Sequence, residues 1–272
     1  MTQNSPPIVL TFAASDPTGG AGLQADILTL TSMGCHALSV VTAITAQDTV
    51  GVEHYWPLDG EQIIDQARCL LEDMPVAAFK IGMVGSVGAV AAIASIVADY
   101  PDVPLVFDPV LASGRGDDLS DEDVRAAMLD LLIPQTTILT PNSHEARQLL
   151  LELGQSTSLD LAECAHLLLE IGCEYVLITG THEQTVQVIN VLYDQNAVVR
   201  TDSWPRLPGS YHGSGCTLAS AIAATLAHNM SVAEGVFEAQ QYTYETLRAG
   251  FRPGMGQYVP DRLFWARHGE SA

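Results

Sequence analysis

The feature that most constrains this chain is an alternation of two hydrophobic periods along most of its length. Short apolar and β-branched runs ("PIVLTFAAS", "HALSVVTAIT", "VAAFKIGM", "PLVFDPV", "TTILTPN", "EYVLITG") read as strands. Between them lie segments with helical spacing: "LQADILTLTSMG", "DGEQIIDQARCLLEDM", "SVGAVAAIASIVADY", "DEDVRAAMLDLLIP", "SHEARQLLLELG" and "LDLAECAHLLLEIG". Strands that alternate with helices predict a mostly parallel sheet covered on both faces and joined by right-handed crossovers. "QVINVLYD" and "AVVRTDSW" predict an antiparallel hairpin. Gly34 is placed to end a helix, and Asp59 with Gln62 and Ser231 with Glu234 are spaced to begin two others. No linker, repeat or low-complexity tract divides the chain, so residues 1–272 are expected to form one domain, with "PGMGQYVPDRLFWARHGESA" as a surface tail.

Composition narrows the partners. The 272 residues are 47% hydrophobic, enough for a large core. The formal charge of −21, with Lys80 as the one lysine, argues against nucleic acid and anionic membranes as partners. No apolar run reaches spanning length, and "MTQNSPPIVL" lacks the features of a signal peptide, so a cytoplasmic protein is expected. The five cysteines lack metal-ligand spacing and read as reduced thiols. Cys69, Cys164 and Cys173 fall in apolar patterns and are expected to be buried.

In sheets of this kind ligands bind at the carboxyl ends of the strands. The loops there read "AASDPTGGAG", "TAQDTVG", "KIGMVGS", "FDPVLASGRG", "TPNSHE", "ITGTH" and "GSYHGSGC". In "HGSGC", glycines let backbone N–H groups converge where a helix begins, which makes an anion site. Cys216 at that helix start is expected to have a lowered pKa, as a base, a nucleophile or simply a small packing residue. His212 lies four residues earlier, but no third residue is evident to orient it. The "SDPTGGAG" loop does not match the dinucleotide fingerprint, and Asp26 follows it in the first turns of a helix. Asp108 and Glu145 stand at strand ends, where carboxylates are placed to hold Mg²⁺ through water.

Taken in order, "AASDPTGGAGLQADILTLTSMG", "SVVTAITAQDTVGV", "FKIGMVGS", "FDPV", "TPNSHEA" and "HGSGCTLASAIAA" resemble the hydroxymethylpyrimidine/phosphomethylpyrimidine kinases of thiamine biosynthesis, in the ribokinase-like superfamily. The resemblance covers nearly the whole chain and implies a three-layer α/β/α fold with a mostly parallel central sheet. It implies ATP and Mg²⁺, a homodimer, and phosphorylation of 4-amino-5-hydroxymethyl-2-methylpyrimidine and then of its monophosphate. Carried over, Gly213, Ser214, Gly215 and Cys216 form the anion hole, with Cys216 where ribokinase relatives carry an aspartate base. The pyrimidine pocket maps onto Asp26, Gln47, Met83 and Val110. Asp108 and Glu145 match the metal region, and Asn142, Thr179 and His212 are expected near the nucleotide.

The chain departs from the family pattern at three places. Thr179 stands where many relatives have a lysine, "LASGRGD" lacks another, with Arg115 as the loop cation, and Ala14 replaces a glycine. The two missing lysines bear most on the second phosphorylation, because that substrate is itself an anion. Three other readings remain open: a pyridoxine/pyridoxal kinase, a pyrimidine sensor without turnover, and an enzyme using Cys216 with His212 as nucleophile and base.

Overall fold

The computed structural model describes residues 5–113, 116–156 and 158–267. The two-residue period of the first strand, β1 (Ile8–Ser15), sends Leu10 and Phe12 into one apolar layer and Val9 into the other. Eight more strands follow: β2 (His36–Gln47), β3 (Val52–Pro57), β4 (Ala78–Ile81), β5 (Leu105–Phe107), β6 (Ile138–Leu139), β7 (Tyr175–Thr179), β8 (Gln187–Asp194) and β9 (Val198–Pro205). They form one sheet in the order β3-β2-β1-β4-β5-β6-β7-β8-β9. Pairing is parallel from β2 to β7 and antiparallel where β3, β8 and β9 join.

The helices divide between the two faces. Those on one side are α2 (Gly60–Leu71), α3 (Val87–Val97), α4 (Glu122–Ala127), α5 (Ser143–Glu152) and α6 (Leu161–Ile171), which pack Ile63, Ile93, Val124, Leu149 and Leu168 against Phe12, Phe79 and Phe107. On the other side, α1 (Gly22–Ser32), α7 (Ser214–Ala227) and α8 (Val232–Arg248) pack Leu30, Ile222 and Val236 against Val9, Val106 and Leu177. This is the expected α/β/α sandwich. Every residue of α7 from Thr217 to Ala227 is buried, which its alanines allow because they let neighbouring backbones approach.

Local signals act as expected at several ends. Gly34, at φ +79°, closes α1, and Cys35 N donates to Leu30 O. Asp59 and Gln62 form a capping box at the start of α2, and Ser231 Oγ accepts from Glu234 N at the start of α8.

Four expectations are corrected. Strand β3 was not expected, because its exposed, mixed residues give no clean two-residue period; it pairs with β2 through Ile44 opposite Trp56. The "DEDVRAAMLDLLIP" helix stops at Ala127 and passes through a π turn and a 3₁₀ turn that contains Pro134. Cys69 is exposed on α2, two residues beyond the buried Ala67, whereas Cys164 and Cys173 are buried. The segment expected as a surface tail is anchored: Val259, Asp261 and Arg262 are buried, and Tyr258 bridges to Tyr211. Isolated bridges of this kind have no periodicity to read. Arg115 lies outside the described residues. Among those residues no helix is long and apolar enough to cross a membrane.

Candidate active site

A cavity of about 890 Å³ opens at the carboxyl ends of the parallel strands. It brings together all of the expected site residues except one. Gln47, Met83 and Val110 line it, as do Asn142, Thr179, His212, the Gly213–Cys216 loop, Asp108 and Glu145. The exception is Asp26.

The anion loop is built as its glycines suggest. Gly213 caps α7 at φ +80°, and a Cβ there would stand 1.8 Å from Gly20 O, so only glycine lets the two glycine-rich loops touch. The first intrahelical bond of α7 is Thr217 N to Gly213 O at 3.0 Å. The amides of Ser214, Gly215 and Cys216 precede it, and with the positive end of the helix dipole they present donors to an anion.

A buried arginine that the sequence did not reveal locks this junction. Arg262 donates to Gly20 O at 2.6 Å, to Gly19 O at 3.3 Å and to Thr217 Oγ1 at 3.1 Å. It therefore ties the C-terminal segment to both glycine loops at once. No local pattern marks it, because its partners, backbone carbonyls and the Thr217 hydroxyl, lie far away in the chain.

Asp26 lies beneath the cavity rather than in its wall. It is fully buried, with Lys80 Nζ 2.9 Å from each of its oxygens, and it accepts from Thr11 Oγ1 at 2.6 Å and Ser220 Oγ at 2.7 Å. Its carboxylate is fully occupied by these donors, so it is not in position to bind a pyrimidine. Lys80 is equally buried. Burial opposes its charge, but the Asp26 carboxylate, with Asp108 beyond it, holds the ammonium above its ordinary value. A lone lysine inside the apolar run "VAAFKIGM" was the available signal for this pair.

The acids at the strand ends are perturbed. Burial, with Asp26 adding to it and Lys80 opposing, pushes Asp108 up to about 6. Burial and the charge of Asp108 push Glu145 up to about 8, although the N–H groups of Asn142 and Leu111 bind it. These two carboxylates repel one another beside the anion loop, where a Cβ on Gly215 would stand 3.6 Å from Asp108 Oδ2. A divalent cation between them would relieve that repulsion, so the donor set fits Mg²⁺. Among the described residues there is no cluster of three or more His, Cys, Asp or Glu that could hold a metal, so a bound ion would need other oxygens to complete its shell.

Cys216 does not have the lowered pKa expected of it. Part of its surface meets the cavity, yet the surrounding protein desolvates it, and with Asp108 and Asp26 nearby its thiol is pushed up to about 12. The helix end and Lys80 do not outweigh that burial. At neutral pH it is a thiol, not a thiolate.

His212 is tied to Gln47 rather than to Asn142 and Thr179. Its Nε2 lies 3.2 Å from Gln47 Nε2 and 2.8 Å from Asp16 Oδ2. Asn142 caps α5 and accepts from His144 N and Glu145 N, and Thr179 N donates to Pro141 O at the end of β7. Asp16, in the "SDPTGGAG" loop, is thus the residue that orients His212. The sequence offered no means of seeing it, because the two are 196 positions apart.

Comparisons with known proteins point to one family and one fold. Residues 16–261 match the family model for phosphomethylpyrimidine kinase. A hydroxymethylpyrimidine/phosphomethylpyrimidine kinase of Streptomyces coelicolor is 38% identical over 257 residues, 93% of each chain. The structure of an ADP complex of Bacillus subtilis pyridoxal kinase superposes with a TM-score of 0.87 at 26% identity, covering 96% of this chain and 99% of that one. A phosphomethylpyrimidine kinase of Clostridium difficile gives 0.76 at 33% identity, covering 89% and 99%.

Proposed function

The chain belongs to the phosphomethylpyrimidine kinase family and is a phosphotransferase of the ribokinase-like fold, and on that premise we propose its substrate and the roles of its residues. It phosphorylates the hydroxymethyl group of 4-amino-5-hydroxymethyl-2-methylpyrimidine with ATP, and then the resulting monophosphate, for thiamine biosynthesis. The observation that carries this reading is the anion loop at the start of α7, set opposite two strand-end carboxylates and beside a pocket that contains Gln47.

In this reading the amides of Ser214, Gly215 and Cys216 stabilise charge on the transferred phosphoryl group. Asp108 and Glu145 would hold Mg²⁺, which would supply positive charge against that of the polyphosphate. Gln47 binds the aminopyrimidine edge, with Met83 and Val110 as its apolar walls. Asn142 and Thr179 lie toward the nucleotide. Cys216, protonated, is not a ready base. Phosphoryl transfer depends chiefly on positioning and charge stabilisation, so a strong base is not required. Residues 1–272 form one kinase domain, and the protein is a cytoplasmic homodimer. The exposed Ile44–Trp56 pair at the β3 edge of the sheet supports association.

Pyridoxal is the second reading, favoured by the TM-score of 0.87 with a pyridoxal kinase. ADP release with Mg-ATP and each candidate decides between them. Turnover on the pyrimidine alcohol is expected to exceed that on pyridoxal by at least about tenfold, or about 1.4 kcal/mol of transition-state binding. Turnover on its monophosphate is expected to be slower, because Thr179 replaces a lysine. A preference for pyridoxal overturns the assignment, and pyrimidine binding without ADP release marks a sensor.

A further inference from the structure

The chain of contacts from Asp16 through His212 to Gln47 decides which way the Gln47 amide faces. The Asp16 carboxylate is almost fully buried and accepts from Thr18 N at 2.8 Å, Thr18 Oγ1 at 2.9 Å and Ala21 N at 2.7 Å. Burial pulls its pKa upward, but His212 and those N–H groups hold it below the usual carboxylate value. An ionised carboxylate only accepts, so His212 Nε2, at 2.8 Å from Oδ2, carries a hydrogen and donates it.

That same Nε2 lies 3.2 Å from Gln47 Nε2, the amide nitrogen. A ring nitrogen that carries hydrogen has no lone pair to offer. An amide NH₂ at that spot sets donor against donor, whereas a half-turn of the amide brings its oxygen there to share the hydrogen that points to Asp16. The imidazole is also held in place. His212 N donates to Tyr258 O at 2.8 Å, and a Cβ on Gly20 would come within 2.3 Å of His212 Cδ2, so the ring occupies the space that glycine leaves.

We propose that His212, oriented by Asp16, is a specificity-determining positioning residue that locks the Gln47 amide with its oxygen toward the imidazole and its NH₂ toward the ligand. This rests on the pyrimidine-kinase reading above. The amide oxygen has a second lone pair, so the locked amide offers an acceptor and a donor in one fixed order. That order matches a ring nitrogen beside an exocyclic amine. It mismatches the 4-oxo analogue, in which the ring nitrogen carries hydrogen and the exocyclic group accepts. Without the imidazole donor the amide is free to turn and serves either ligand.

Two measurements test this. The first compares kcat/KM for the 4-amino alcohol with that for its 4-oxo analogue in the wild type, His212→Leu and His212→Gln. The amino-to-oxo ratio is expected to fall at least tenfold in His212→Leu, mainly through KM. It should return to within threefold of wild type in His212→Gln, whose amide NH₂ restores a donor near the position of Nε2. Equal losses on both substrates, with the ratio unchanged, mean that His212 acts only on the fold and overturn the proposal. The second is ¹⁵N NMR of His212 in the ligand-free protein at neutral pH. Hydrogen on Nε2 is expected, and a neutral ring with hydrogen on Nδ1 alone overturns the proposal whatever the substrate. If the wild type releases ADP with neither pyrimidine, the functional reading fails, while the tautomer still decides the inference.

Discussion

Burial, not position at a helix start, sets the chemistry of the cysteine in the anion loop. The N-terminus of α7 favours a thiolate at Cys216, but desolvation and two neighbouring aspartates push the thiol up to about 12. At pH 7.5 almost all of it is protonated. Mass-spectrometric mapping of iodoacetamide labelling should therefore find Cys216 modified more slowly than Cys69, which is exposed. Faster labelling at Cys216 would restore the thiolate and with it a role as base. The same contrast separates readable from unreadable residues. Gly213, Ser214 and Gly215 announce themselves through local backbone chemistry, whereas Arg262 acts on the same loop through carbonyls roughly fifty and roughly two hundred and forty residues away.

At the scale of elements, the hairpin of β8 and β9 is fastened to α8 by polar contacts rather than by apolar packing alone. Arg200 donates two hydrogen bonds of 2.7 Å to Asp202, and Gln240 Nε2 donates to Asp202 Oδ2 at 2.8 Å. Gln240 Oε1 in turn accepts from Asn190 Nδ2 and Trp204 Nε1. Burial works to raise the Asp202 pKa, but Arg200 and Gln240 outweigh it and leave the carboxyl below 3.8. A depressed carboxylate contributes stability that is complete above its unfolded value and is lost as pH falls through the folded one. Asp202→Asn should therefore cost about 1.5–3 kcal/mol at pH 7, since hydrogen bonds to a charged group are removed. The difference from wild type should shrink as pH falls below about 4. Urea unfolding at both pH values checks this, and an unchanged gap at low pH would remove Asp202 as its source. The hairpin was legible in sequence; its attachment to α8 was not, because Asp202 and Gln240 are 38 positions apart.

At the scale of the whole molecule, one buried ion pair joins the two glycine-loop helices to the sheet. Asp26 comes from α1, Lys80 from β4, Thr11 from β1 and Ser220 from α7, and their contacts converge beneath the cavity. Lys80→Met leaves a buried carboxylate without its partner and should cost about 3–5 kcal/mol in denaturant unfolding. Lys80→Met with Asp26→Leu should recover most of that loss, because neither charge then remains. If the double variant is as unstable as the single one, the pair is not a coupled unit. The sequence by itself determined the alternation of strand and helix, the layered sheet, the carboxyl-end loops and the glycine anion loop. Each is written in a local period or in a backbone freedom that only glycine supplies. Tertiary structure alone decided that Asp26 lies under the cavity, that Cys216 is a thiol, that Arg262 joins the loops and that Asp16 orients His212. Those outcomes depend on burial and on partners distant in sequence, and both exist only once the chain has closed on itself.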